Sequence, residues 1–142
     1  MALETSEDRD SYPYKLTRSL LTASERAFYA ALLLAAGRRY VVFAKVRFAD
    51  LCQDLNRWTD MAAFNRVSSK HVDFVLCDAA TFRPVLAVEL DDRSHLRANR
   101  RDRDALKDQV FHTMGLGVYR QWVRRSYDPA AIARGIEDAL QP

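Results

Sequence analysis

The stretch HVDFVLCDAATFRPVLAVELDD, residues 71–92, contains two short apolar runs separated by the turn-like segment AATF. Both runs are rich in valine, leucine or phenylalanine and are bounded by polar or turn-forming residues, a pattern typical of short buried strands. The sequence therefore predicts a β-hairpin with strands at residues 71–77 and 84–91. Because apolar side chains occupy both alternating sets of positions, we expect this hairpin to lie in the centre of a sheet that is covered on both faces.

The predicted turn, centred near Thr81, sets the register of the hairpin. In that register Asp73 lies opposite Glu89, Val75 opposite Ala87 and Cys77 opposite Val85. Side chains alternate along a strand. One face is then expected to carry Asp73, Val75, Cys77, Val85, Ala87, Glu89 and Asp91, and the other to carry Val72, Phe74, Leu76, Leu86, Val88 and Leu90.

Three acids, Asp73, Glu89 and Asp91, share one end of one face in this register. Like charges directly opposite each other destabilise a sheet, and a hard divalent cation that takes carboxylate oxygens would remove the conflict. The trio therefore predicts a metal site. The alternative is an ordinary strand end that runs into a solvated turn, and a slip of one residue would place Asp73 on the opposite face from Glu89.

The rest of the chain predicts further helices and strands around the hairpin. Thr22 and Glu25 have the spacing of a capping box at the start of a helix. The predicted elements are a helix at 22–36, a strand at 40–48, a long loop with a helical turn at 50–69, a helix at 96–114, a strand at 116–123 and a last helix that begins at Asp128-Pro129. We expect a single domain over residues 14–142 after a disordered acidic lead-in at 1–13.

The composition points to a globular protein. The chain has 142 residues, of which 49% are hydrophobic and 29% charged, which is enough for one sizeable core. No apolar run approaches the roughly 20 residues of a membrane helix, and the acidic N-terminus does not resemble a secretory signal. The only two cysteines, Cys52 and Cys77, exclude a disulfide framework. We therefore expect a cytoplasmic protein with no membrane partner.

Positive charge is concentrated in residues 93–125, where nine basic residues accompany three acidic ones. Basic clusters of this kind suit an anionic polymer such as nucleic acid, although a solvated helix face would have the same composition. The expected nucleic-acid-binding residues are Arg93, Arg97, Arg100, Arg103, Lys70, Arg120 and Arg124.

The acidic motifs resemble those of a known superfamily of nucleases. Asp73 in HVDFVL and Glu89 in VLAVELDDRSH are similar to the acidic core of the PD-(D/E)XK, or restriction-endonuclease-like, superfamily. The spacing of Glu89, Asp91 and His95 resembles the branch near very-short-patch-repair endonucleases. Four segments, LLTASERAFYAAL, FNRVSSKHVDFVLCD, LAVELDDRSH and RDRDALKD, resemble the bacterial family called domain of unknown function 2726. The resemblance covers roughly residues 14–127.

The superfamily resemblance implies a fold and a chemistry. The fold is an α/β core of order αβββαβ with a mixed four-stranded sheet between helices, to which this chain adds a C-terminal helix. The chemistry is metal-dependent phosphodiester hydrolysis with Mg²⁺ or Mn²⁺, held by Asp73 and Glu89. Glu25 matches a position at which an acid often joins the active site, beside its role in the capping box.

One position departs from the superfamily pattern, because Asp91 stands where a lysine is usual, two residues after Glu89. Asp91 could be a further metal ligand or could orient water. The missing cation could come from Lys107 on the following helix or from Lys70 before the first hairpin strand. His95 could bind phosphate or protonate the leaving group, or it could be a solvated turn residue.

These residues predict a small Mg²⁺-dependent nuclease that acts on DNA. Two alternatives remain: a nuclease-like domain that has lost catalysis and binds nucleic acid or a protein without cleaving, and an interaction domain whose acids form an ordinary strand end. Each alternative predicts no metal-dependent turnover. A homodimer, or a protein partner that supplies targeting, is a further expectation from the short chain.

Overall fold

The computed structural model describes residues 12–92 and 98–141, without the side chains of residues 98–104. Most of the expected lead-in and the start of the expected helix at 96–114 lie outside these residues. The elements are α1 (Ala23–Ala36), β1 (Tyr40–Arg47), α2 (Phe48–Leu51), α3 (Met61–Val67), β2 (His71–Asp78), β3 (Pro84–Asp91), α4 (Ala98–Met114), β4 (Gly117–Trp122) and α5 (Pro129–Leu140). No helix in the described ranges is both long and apolar enough to cross a bilayer.

The four strands form one mixed sheet in the order β1-β2-β3-β4. The pairs β1-β2 and β2-β3 are antiparallel, and β4 runs parallel to β3. A parallel pair needs a crossover connection, and α4 provides it. The chain is therefore a mixed α+β structure with a four-stranded mixed sheet flanked by helices, and the predicted central hairpin β2-β3 lies in the middle of that sheet.

Each face of the sheet buries its own hydrophobic cluster. Phe28 and Leu32 of α1 and Ile132 of α5 pack on one face, which we call the α1/α5 face. Phe48 of α2 and Phe111 of α4 pack on the other, which we call the α4 face. The hairpin is thus covered on both sides, as its two apolar sets of side chains predicted.

The register predicted for the hairpin is correct in its middle and wrong near the turn. Phe74 pairs with Val88, Val75 with Ala87 and Leu76 with Leu86, but Cys77 pairs with Pro84 and not with Val85. A bulge between Leu76 and Cys77 causes this shift, since it leaves Val85 as an extra residue on β3. Val85 therefore packs on the α1/α5 face and not, as predicted, on the face of Val75.

A second irregularity lies at the other end of the hairpin. Val72 packs on the α4 face although Phe74, two residues later, packs on the α1/α5 face. The prediction that these two side chains share a face was wrong. The side chains of the adjacent strand β1 also change face at this level. Val42 packs on the α1/α5 face, whereas Val46, four residues later, packs on the α4 face. Between them, Lys45 has a φ of 54°, a left-handed conformation that breaks the alternation of an extended strand.

The segment at 50–69, predicted as a long loop with a helical turn, contains the end of one short helix, α2, and the whole of another, α3. Asp60 caps α3 by accepting a hydrogen bond from the Ala63 N–H at 3.0 Å. The pattern was missed because α3 has only seven residues, too few to show a helical period. The other predicted elements are present to within two residues where they are described. The Thr22–Glu25 capping box is also formed, with hydrogen bonds of 2.9 and 3.2 Å.

Candidate active site

Asp73 of β2 and Glu89 of β3 are neighbours in the structure. The Asp73 N–H donates to Glu89 Oε2 at 3.4 Å, and the Leu90 N–H donates to Asp73 Oδ2 at 2.8 Å. This contact continues the hairpin register, in which Val75 pairs with Ala87 and Phe74 with Val88. The hairpin therefore brings together the two carboxylates that the sequence placed opposite each other.

Glu89 is an unusual carboxylate because it is only 3% exposed. Burial raises its pKa, and the charge and hydrogen bond of Asp73 raise it further, whereas Lys107 lowers it; the result is a pKa of about 7. Burial disfavours a charged carboxylate and a like charge beside it adds to the cost. The acid pair is therefore an electrostatically costly arrangement that the fold maintains.

Lys107 of α4 reaches the acid pair from the helix side. Its Nζ lies 3.0 Å from Glu89 Oε1 and 5.9 Å from the centre of the Phe48 ring. Phe48 also packs against Phe111, one helical turn after Lys107, with 4.9 Å between the ring centres. Packing of α2 against α4 thus holds the lysine stem, and the ammonium group points at the buried carboxylate.

Asp91 forms an ion pair with Arg120 of β4. Its Oδ1 lies 3.4 Å from Arg120 Nη1, and Nη2 of the same arginine donates to Asp108 of α4. Arg120 is the register partner of Glu89 in the parallel β3-β4 pair. The arginine that was expected to contact nucleic acid therefore also holds two carboxylates.

The described residues do not bring the three predicted metal ligands into one group. Over residues 12–92 and 105–141, whose side chains are described, no cluster of three or more His, Cys, Asp or Glu side chains is arranged to hold a metal ion. Asp73 and Glu89 remain as an adjacent pair, and Asp91 belongs to the network of Arg120. Two carboxylates are the usual protein contribution to a Mg²⁺ site, whose other positions go to water and substrate oxygens. The pair fits Mg²⁺ or Mn²⁺ on that basis.

Glu25 fills one of its two predicted roles, the helix cap, and its role in the active site stays a prediction. It is 7% exposed and completes the capping box, and its Oε2 lies 2.6 Å from the Nζ of Lys45. Although burial alone would raise it, the pKa of Glu25 is lowered by the hydrogen bonds and charge of Lys45 and by its bonds to Thr22. The sequence analysis missed Lys45. Its signal is a lone lysine inside the apolar strand YVVFAKVR.

The other predicted residues are either outside the described part of the chain or make the following contacts instead. Arg93, His95 and Arg97 fall outside it, and so do the side chains of Arg100 and Arg103. Lys70 joins α3 to β2, and its carbonyl accepts from the Phe48 N–H at 3.1 Å. Arg124 is exposed just after β4.

Comparison with known proteins identifies one family. A family model described as "Protein of unknown function (DUF2726)" matches residues 17–140. No curated protein matches the chain, and no solved structure matches it.

Proposed function

The chain belongs to the DUF2726 family, and from that premise we propose that it is a metal-dependent nuclease that hydrolyses phosphodiester bonds in DNA. The observation that carries the proposal is the convergence of Asp73, Glu89 and Lys107, from three different elements, on one end of the central hairpin. Buried groups with perturbed pKa values and specific charge partners concentrate at functional sites.

Asp73 and Glu89 have the role of metal ligands in this proposal. Glu89 is buried beside a second carboxylate, and its pKa is raised to about 7 by burial and by Asp73, so ionising both groups is costly without a cation between them. A bound Mg²⁺ or Mn²⁺ would activate water and stabilise charge on the phosphate. The two carboxylates would hold the ion, and the Leu90 N–H, bonded to Asp73 Oδ2 at 2.8 Å, would fix the direction of one of them.

Lys107 has the role of the catalytic cation. Asp91 stands at the strand position that is usually lysine in the superfamily that the chain resembles, and Lys107 brings an ammonium group to Glu89 from α4. Charge develops on the phosphate oxygens during hydrolysis, and a fixed cation beside them lowers the barrier. Packing of Lys107 over Phe48 supports this role because it limits the positions that the side chain can adopt.

The restriction-endonuclease-like core is part of the same proposal. Its support is the sheet order β1-β2-β3-β4, with three antiparallel strands followed by the parallel crossover β3-α4-β4. DNA as the substrate is supported by charge, since residues 93–125 carry nine basic and three acidic residues. Positive surfaces of this kind supply most of the affinity of proteins for the DNA backbone.

The test is cleavage of supercoiled, linear and single-stranded DNA in Mg²⁺, in Mn²⁺ and in EDTA. We expect cleavage by the wild-type chain only with a metal ion, and none by Asp73→Asn or Glu89→Gln. Asp78→Asn is the matched control: Asp78 is an acid at the other end of β2 whose side chain accepts the Ala80 and Thr81 N–H groups of the turn, and asparagine also forms such turns.

Cleavage that survives in both Asp73→Asn and Glu89→Gln would overturn the assignment. DNA binding without cleavage by the wild-type chain would favour the alternative, a degenerate nuclease-like domain that binds nucleic acid only. That alternative has its own observation in favour, namely the aspartate in place of the usual lysine.

A further inference from the structure

Lys45 lies on β1, the strand next to the one that carries Asp73. In the antiparallel β1-β2 register, Ala44 pairs with Phe74 and Val46 with Val72. Lys45 and Asp73 occupy the level between these two pairs. Lys107 approaches Glu89 from α4, whereas Lys45 lies on the neighbouring strand β1, with its ammonium group against Glu25 of α1.

The backbone of Lys45 is held in a costly conformation. Its φ of 54° lies in the left-handed region, which non-glycine residues adopt rarely and mostly as asparagine or aspartate. Outliers of this kind are energetically unfavourable and concentrate at functional sites. At Lys45 the left-handed conformation interrupts the alternation of side chains along β1. As a result Val42 packs on the α1/α5 face, whereas Val46, four residues later, packs on the α4 face.

Glu25 holds the ammonium group of Lys45 in place. The two charged atoms are 2.6 Å apart, and the side chain of Lys45 is 42% exposed whereas that of Glu25 is 9% exposed. The net lowering of the Glu25 pKa, which occurs in spite of burial because of Lys45 and Thr22, keeps the carboxylate ionised at neutral pH. An ammonium group has three donors, and the Glu25 contact uses one of them. An anchored and partly exposed cation therefore belongs to the strand position that lies level with Asp73.

We infer that Lys45 binds a phosphate of the DNA substrate beside the acid pair, with Glu25 as the residue that positions it. The inference rests on the proposed function, which it extends by naming a phosphate contact on the β1 side. It also gives Glu25 a task beyond the helix cap, since the carboxylate that caps α1 is the one that anchors Lys45.

The test measures DNA affinity by fluorescence anisotropy in EDTA over a series of salt concentrations. Each phosphate contact contributes about 0.9 to the slope of log affinity against log salt on duplex DNA. We expect Lys45→Asn, which suits the left-handed backbone, to lower the slope by about that amount, and Lys45→Arg to keep it. The matched control is Arg39→Asn, which removes a cation at the other end of β1 that pairs with Glu137 at 3.0 Å.

The outcomes test the phosphate contact of Lys45 separately from the nuclease activity. An unchanged slope in Lys45→Asn, an equal loss in Arg39→Asn, or no DNA binding by the wild-type chain would overturn the role of Lys45. If Lys45→Asn lowers the slope but the wild-type chain cleaves no DNA, the phosphate contact is supported and the nuclease is rejected. Circular dichroism melting curves would establish that the variants are folded. Glu25→Gln keeps the capping hydrogen bond but removes the charge that anchors Lys45. In this background we expect Lys45→Asn to change the slope less than it does in the wild-type chain, and an equal change would overturn the positioning role of Glu25.

Discussion

The Nζ atom of Lys107 lies 3.0 Å from Oε1 of Glu89, a carboxylate that is only 3% exposed. The two residues are 18 positions apart. Glu89 lies on β3 and Lys107 on α4, and residues 93–97 of the connection between them fall outside the described structure. A helix thus supplies a cation to the acid pair at a site where the strand carries Asp91. Three predictions follow from this arrangement and from the neighbouring Arg120 network.

Glu89 is expected to make the protein less stable as the pH rises. Burial and the charge of Asp73 raise its pKa from 4.5 to about 7 in the folded chain. Between these values the folded chain keeps a proton that the unfolded chain releases, so a rising pH favours unfolding. A shift of this size corresponds to roughly 3 kcal/mol. Urea unfolding at a series of pH values should therefore show a decline that Glu89→Gln flattens.

The control for this pH dependence is Glu137→Gln, because Glu137 is an exposed acid paired with Arg39. It should decline with pH as the wild-type chain does. Equal pH profiles for Glu89→Gln and the wild-type chain would show that Glu89 is not the group that titrates.

Lys107→Met is expected to lower kcat for DNA cleavage by about 10²–10³, the usual effect of removing one group that stabilises transition-state charge. Methionine keeps an unbranched stem to pack against Phe48, so the loss would report the ammonium group. Single-turnover cleavage measures it directly. Lys70→Met, which removes the other candidate cation, should cleave at the wild-type rate. The reverse outcome for the two variants would move the catalytic cation to the start of β2.

Asp91→Asn tests whether Asp91 is a metal ligand. Since Asp91 pairs with Arg120 at 3.4 Å, we expect this variant to keep Mn²⁺ affinity within about tenfold of wild type, the smaller end of the range for a residue that acts through another. Asp73→Asn should instead abolish the binding heat in isothermal titration calorimetry. An equal loss in both variants would make Asp91 a third ligand.

Much of the local structure was predictable because its causes are local. The Thr22–Glu25 capping box depends on two side chains three residues apart. The middle of the hairpin register, Phe74–Val88 to Leu76–Leu86, follows from the alternation of apolar residues on either side of a short turn. The same register brought Asp73 and Glu89 together, and both acids were named from the sequence.

The rest depended on packing between elements. No periodic pattern in the sequence predicts the bulge that moves Val85 to the α1/α5 face, or the left-handed φ of Lys45. Both depend on how the ends of the strands pack against the two helical layers. The sequence offered Lys107 and Lys70 as candidate cations, and only the packing of α4 shows that Lys107 contacts Glu89. It offered Asp91 as a candidate metal ligand, and its contact with Arg120 likewise depends on tertiary packing. Sequence pattern alone determines which residues face one another across a tight turn. Contacts between Lys107 and Glu89, or Lys45 and Glu25, arise only when tertiary packing orients long side chains whose reach exceeds the spacing of the strands.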